Sequence, residues 1–183
     1  MSKKTRPIVV GIGGARCSGK TTLAKHLQRM LPNSIVIHQD PQELLPIHPV
    51  HNIRDWDTAP SAIDWPRLVE FLVKVKVTGE IPVHHRSYDH LNEQRDLPIQ
   101  SEVRDQWVGT FKSLLAERAT AGDEEIVRGL VEGFLPYWNP EVIAQLDMRI
   151  YLRISHDGLC GHRHERCDYY TGTLWHDPPN YWE

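Results

Sequence analysis

Gly14-Ala15-Arg16-Cys17-Ser18-Gly19-Lys20-Thr21 satisfies the pattern G-x-x-x-x-G-K-[ST], with Thr22 directly after it. Each fixed position answers a demand of phosphate chemistry. The glycines let the backbone curl until successive N–H groups point inward at anionic oxygens. Lys20 sets a cation against the β- and γ-phosphates, and Thr21 offers a hydroxyl to Mg²⁺. Such a loop needs a buried strand before it and a helix after it. Pro7-Ile8-Val9-Val10-Gly11-Ile12 is a short, β-branched apolar run of the kind that forms a buried parallel strand. From Thr22 to Leu31 apolar residues recur at 23, 24, 27, 30 and 31, a helical spacing. The residues therefore predict a nucleoside triphosphate site with Mg²⁺.

Two further acids stand where chemistry could use them. Asp40 follows Ser34-Ile35-Val36-Ile37-His38-Gln39, a second predicted strand, and so falls at a carboxyl end, where open α/β sheets hold their ligands. A carboxylate there can accept the proton of an attacking hydroxyl; an Asp in that place can also simply form a turn or cap. Glu132 closes a third apolar run, Ile126-Val127-Arg128-Gly129-Leu130-Val131, and is followed by Gly133-Phe134. It can hold the metal or its water, or be a surface Glu before a glycine turn.

These groups have to be carried by a framework, and the remaining sequence outlines one. Proline-rich irregular chain is expected from Pro41 to Pro60. Asp64-Trp65-Pro66 signals a helix start, with Leu68, Leu72 and Val75 on one face and Gly79 as the stop. Residues 80–100 read as a polar surface excursion. Ser101-Glu102 opens another helix with apolar positions 103, 107, 111, 114 and 115, ending near Gly122, and Met148 to Ile154 forms a fourth strand. Strands alternating with helices predict an α/β fold, a parallel sheet flanked by helices.

Length and composition narrow the function classes. At 183 residues the chain suits one domain with a sizeable core. The 21 basic and 24 acidic residues give a net charge of −3, against the basic excess that a nucleic-acid surface needs. No apolar run approaches a membrane span, and the basic start Met1 to Arg6 runs straight into a strand, unlike a secretory signal. Three cysteines, Cys17, Cys160 and Cys167, offer no paired framework; reduced thiols in a cytoplasmic enzyme are the economical reading. Cys160, His162, His164 and Cys167 lack the paired knuckle spacing of structural zinc sites. Cys17 has no adjacent base, so it is not read as a nucleophile.

Gly14 to Thr22 with Leu23-Ala24-Lys25, Leu31-Pro32-Asn33, the Gln39-Asp40 pair, Trp56-Asp57, Glu132-Gly133-Phe134, His162-Arg163-His164-Glu165-Arg166 and Gly172-Thr173-Leu174-Trp175 together resemble the nicotinamide riboside kinase family of uridine-kinase-like P-loop kinases. The resemblance implies one P-loop kinase domain over residues 1–183, with a lid at about 156–170. It implies ATP-dependent, Mg²⁺-assisted phosphorylation of the ribose 5′-hydroxyl of nicotinamide riboside, a step of NAD salvage. Asp40 would be the catalytic acid that takes the hydroxyl proton, with Lys20, Arg163 and Arg166 neutralising the transferring phosphoryl group. Residues 14–22 (Gly14, Ala15, Arg16, Cys17, Ser18, Gly19, Lys20, Thr21, Thr22) would bind the nucleotide. Thr21, Asp40 and Glu132 would serve the metal. Asp40, Trp56, Asp57, Glu132 and Tyr169 would meet the nucleoside. Asp57 suits a vicinal diol, and the indole of Trp56 suits a cationic pyridinium, a pairing worth about 0.5–2 kcal/mol. Trp56 could equally be a packing anchor, and Arg163 and Arg166 a solvated helix face.

The sequence departs from the family after Asp40, where Pro41-Gln42-Glu43 follows, and at Cys160-Gly161-His162 in the lid; it also stops at Glu183, short of an expected last helix. Residues absent after Asp40, around Tyr170-Thr171 and beyond Glu183 are therefore expected. Two alternatives stay open on the sequence alone: a uridine or other nucleoside kinase, and a catalytically weakened nucleotide-binding regulator. A GTPase switch fits less well, since no Asn-Lys-x-Asp element occurs.

Overall fold

A computed structural model of the chain describes residues 5–39, 59–80, 99–120 and 125–165. Its centre is a four-stranded, all-parallel sheet in the order β2-β3-β1-β4, built from β1 (Thr5–Gly14), β2 (Ser34–His38), β3 (Glu125–Glu132) and β4 (Met148–Leu152). The expected parallel sheet flanked by helices is therefore observed. β1 is longer than the six-residue run that predicted it, because Thr5 and Arg6 pair with Glu125 and Ile126 beyond the apolar stretch.

Two cores lie on opposite faces of the sheet, as the period of two along a strand requires. Val9, Ile37 and Val131 point to one face and pack with Leu68, Leu72 and Val75 of α3 (Trp65–Thr78) and Val142 of α5 (Pro140–Gln145). Val10, Ile12 and Leu130 point to the other and meet Ala24 of α1 (Lys20–Met30), with Leu23, Leu27 and Leu31 alongside. α3 starts and stops as its sequence signals: the Asp64 side chain accepts from Arg67 N, and Gly79 ends the helix at φ 74°.

Four elements differ from expectation. A short α2 (Ala59–Ala62) begins inside the stretch read as irregular, tied by Trp65 Nε1 donating to Ala59 O. α5 was not foreseen, although Asn139-Pro140 carries its start: Asn139 Oδ1 accepts from the N–H groups of Glu141 and Val142. α4 (Ser101–Thr120) forms, but its apolar positions do not enter a described core. Val103, Trp107 and Leu114 are 41 %, 49 % and 50 % exposed, and Trp107 stacks instead on Phe111 one turn later, ring centroids 5.8 Å apart. The fourth strand stops at Leu152, and residues 156–165, the described part of the span expected as a lid, form α6 (His156–Glu165). Among the described residues no helix is long and apolar enough to cross a membrane.

Candidate active site

β1 ends in the phosphate loop, and the loop's backbone conformations are those its glycines allow. Gly14 (φ 149°) and Gly19 (φ 92°) occupy the left-handed region, and so does Cys17 at φ 64°, a conformation that costs a non-glycine residue about 1–2 kcal/mol. At Gly14 a Cβ would lie 2.7 Å from Leu152 O and 2.9 Å from Ser18 Oγ, so only glycine fits between the loop and β4. Ser18 N donates to Ala15 O at 3.2 Å, which closes the curl. α1 starts at Lys20, directly after Gly19 and two residues before the apolar pattern, with no side-chain cap. Its first-turn N–H groups and positive dipole end therefore serve an anion placed in the loop.

Whether Mg·ATP suits this loop can be judged from the side chains within it. Lys20 is 8 % exposed and its Nζ donates to Ala15 O at 2.8 Å, which places the ammonium against the loop backbone. The Ser18 hydroxyl is buried without a hydrogen-bond partner, a state costing about 1–3 kcal/mol that a phosphate oxygen would relieve. Thr21 follows Lys20 at the start of α1. The donor set is cationic and rich in N–H groups, and it fits a triphosphate.

Parallel register brings the loop strand next to β3, the strand that ends in Glu132. Glu132 pairs with Ile12 of β1 on one side and His38 of β2 on the other. It is 7 % exposed, and its Oε1 lies 2.7 Å from His38 Nδ1. Gln39 N donates to Glu132 O at 2.8 Å, so β2 and β3 remain coupled up to the residue before Asp40. The buried Gln39 side chain accepts from Leu135 N through Oε1 at 3.0 Å, while its Nε2 has no hydrogen-bond partner. From the loop side, the Arg16 guanidinium lies 5.8 Å from the centroid of Phe134.

α6 reaches the same place. His162 Nδ1 is 3.0 Å from Cys17 O, 145 positions away in sequence, and the exposed Arg163 is its neighbour. Residues 14–22, Glu132 and Arg163 are thus described; Asp40, Trp56, Asp57, Arg166 and Tyr169 lie outside the described residues, as do Cys167 and the His164 side chain of the cysteine–histidine cluster. The positions after Asp40 and around Tyr170 at which residues were expected to be absent also lie outside them. Sequence reasoning missed His38, Gln39's clamp on Leu135 and His162's contact with the loop. Only the burial of a polar residue at the end of an apolar strand could have flagged the first two.

No protein-family model matches the chain. Among curated proteins it is similar to the nicotinamide riboside kinase of Schizosaccharomyces pombe, with 31 % identity over 186 residues covering 100 % of this chain and 76 % of the relative. That of Saccharomyces cerevisiae is 28 % identical over 190 residues, again 100 % of this chain and 74 % of the relative. Nicotinamide riboside kinase 1 of Mus musculus is 66 % identical over a shorter stretch of 32 residues, 18 % of this chain and 16 % of the relative. Similarity of that extent, on a chain whose first strand ends in a phosphate loop, places the chain in the nicotinamide riboside kinase family.

Proposed function

We propose that this chain transfers the γ-phosphoryl group of ATP to the 5′-hydroxyl of nicotinamide riboside, giving nicotinamide mononucleotide. The observation that carries the reading is similarity along the whole chain to kinases of that name, on a sheet whose loop strand β1 lies beside β3 and Glu132. Positioning and electrostatic stabilisation supply most of the rate in such transfers. Loop N–H groups and Lys20 hold the phosphate tail. Asp40 takes the proton from the ribose hydroxyl, Asp57 accepts from the ribose diol, and the nicotinamide ring lies against Trp56 with Tyr169 opposite. Arg163 and Arg166 balance charge on the transferring group. Thr21, Asp40 and Glu132 are the residues that would hold Mg²⁺ or its water, and the bound cation would neutralise charge on the phosphate oxygens.

The substrate is a small molecule. The acidic balance of the chain argues against a nucleic-acid partner, and three cysteines with no paired sequence framework suit the cytoplasm. Neither a uridine-selective kinase nor a weakened regulator has comparable support. A coupled ADP-release assay with nicotinamide riboside, with uridine and without acceptor tests all three readings. Nicotinamide riboside is expected to give the highest kcat/KM. Preference for uridine, or silence with every acceptor alongside measurable ATP binding, would overturn the reading.

A further inference from the structure

Glu132 is fixed through its main chain on both flanks and through its carboxylate by His38. Its own carbonyl accepts from Gln39 N at 2.8 Å, and the next residue, Gly133, donates its N–H to Ile12 O at 3.2 Å. The main chain is therefore pinned to β2 on one flank and β1 on the other, which leaves the side-chain torsions as the remaining freedom. His38 removes that freedom. It stands opposite Glu132 in the β2–β3 register, and Nδ1 lies 2.7 Å from Oε1, with both side chains only 9 % exposed. An ionised carboxylate only accepts, so Nδ1 carries the proton. A buried carboxylate without such a donor would be costly. With Oε1 engaged, Oε2 is the remaining acceptor of the carboxylate.

Resting on the phosphoryl transfer proposed above, we propose that His38 is a positioning residue of the reaction. Its Nδ1–H fixes the rotamer of Glu132, so that the carboxylate is already aimed when substrate and nucleotide arrive. The imidazole does not touch the reacting atoms. It acts through Glu132, in the way that hydrogen-bond partners one step removed from a reaction centre hold the groups that carry out the chemistry. Glu132 lies between the strand that ends in the phosphate loop and the strand that runs into Asp40. A carboxylate swinging there would lower the rate of transfer without loosening the nucleotide.

The test compares two amides that differ in where they place a donor. An Asn at 38 puts its NH₂ close to the position of Nδ1, whereas a Gln puts it close to that of Nε2. We expect His38→Asn to keep kcat for nicotinamide riboside within about threefold of wild type and His38→Gln to lose about 10–100-fold. Calorimetry should find the Kd of Mg·ATP within about threefold for both, and in a Glu132→Gln background His38→Gln should cause no further loss. His38→Ala should resemble His38→Gln; if it does not fold, the Asn–Gln contrast carries the test. Equal activity in all His38 variants, equal impairment of Asn and Gln, or additive losses with Glu132→Gln would overturn the proposal and leave the kinase reading intact. A wild-type chain that phosphorylates no nucleoside would overturn the kinase reading, and the positioning role with it.

Discussion

In the proposed transfer, Asp40 is the general base. General-base removal of the hydroxyl proton contributes about 10²–10⁴-fold, so Asp40→Ala should lower kcat by that order while Mg·ATP still binds within a few-fold, read by calorimetry. Near-normal turnover would take Asp40 out of the base role. Gly133 supports the same edge by its lack of a side chain. A Cβ there would lie 2.5 Å from Gln39 Cβ and nearer still to Gln39 Oε1. The first of these neighbours is rooted in the backbone and cannot swing away. Gly133→Ala should therefore destabilise the fold by about 1–3 kcal/mol, as overpacking does, and displace Glu132 with it. A melting curve and kcat measured on one preparation check both effects; an unchanged Tm would show that the turn has room to give. What the sequence showed at this scale was the phosphate loop, because its motif specifies backbone shape over adjacent positions. His38 with Glu132 and Gln39 with Leu135 are pairings across 94 and 96 positions, which no local pattern encodes.

The strands were legible where apolar, β-branched runs met the period of a buried parallel sheet, and α3 was legible from its cap and stop. What local signals could not supply was the join between β1 and β4. Asp147 makes it: Oδ2 accepts from Val9 N at 2.8 Å, its own N–H donates to Val9 O at 2.8 Å, and Oδ1 accepts from Lys76 Nζ at 3.0 Å, which ties α3 to the same point. The partly buried backbone bond outweighs the half-exposed ion pair, since exposed pairs contribute about 0–1 kcal/mol. Asp147→Ala should therefore cost about 1–3 kcal/mol and Asp147→Asn, which keeps an acceptor for Val9, less than about 1 kcal/mol. Equal losses in denaturant titrations would shift the weight to Lys76. Tyr137 secures the opposite end of the join, with its hydroxyl 2.7 Å from both Gly11 O and Ile150 O. Burial pushes its phenol above the usual tyrosine range. The folded state then holds this proton more tightly than the unfolded chain does. Its contribution is complete below the ordinary tyrosine pKa of about 10 and is lost as pH rises through the higher folded value. Unfolding free energy should fall above about pH 10 in wild type and fall less in Tyr137→Phe; parallel profiles would remove Tyr137 as the cause.

At the scale of the molecule, the loop couples segments far apart in the chain. Arg16 reaches Phe134 after β3, Cys17 O meets His162 of α6, and Gly14 sits against Leu152 of β4. A ligand that orders the loop therefore stabilises the sheet's carboxyl edge and α6 together, and its binding energy appears as folding stability. Because ligand binds the folded chain alone, Mg·ATP at 100 times its Kd adds about 2.7 kcal/mol. In a domain of this size that corresponds to a rise in Tm of roughly 5–10 °C. The same concentration should move Lys20→Ala far less, because that substitution removes the buried cation held against the loop backbone. Hydrogen exchange should show added protection on residues 14–22 and also on 156–165, the helix whose His162 touches the loop. Protection confined to residues 14–22 would mean that the loop binds nucleotide without engaging α6. Arg163 would then have to reach the phosphoryl group by a movement that nucleotide alone does not cause, and the nucleoside would become the ligand that closes the site.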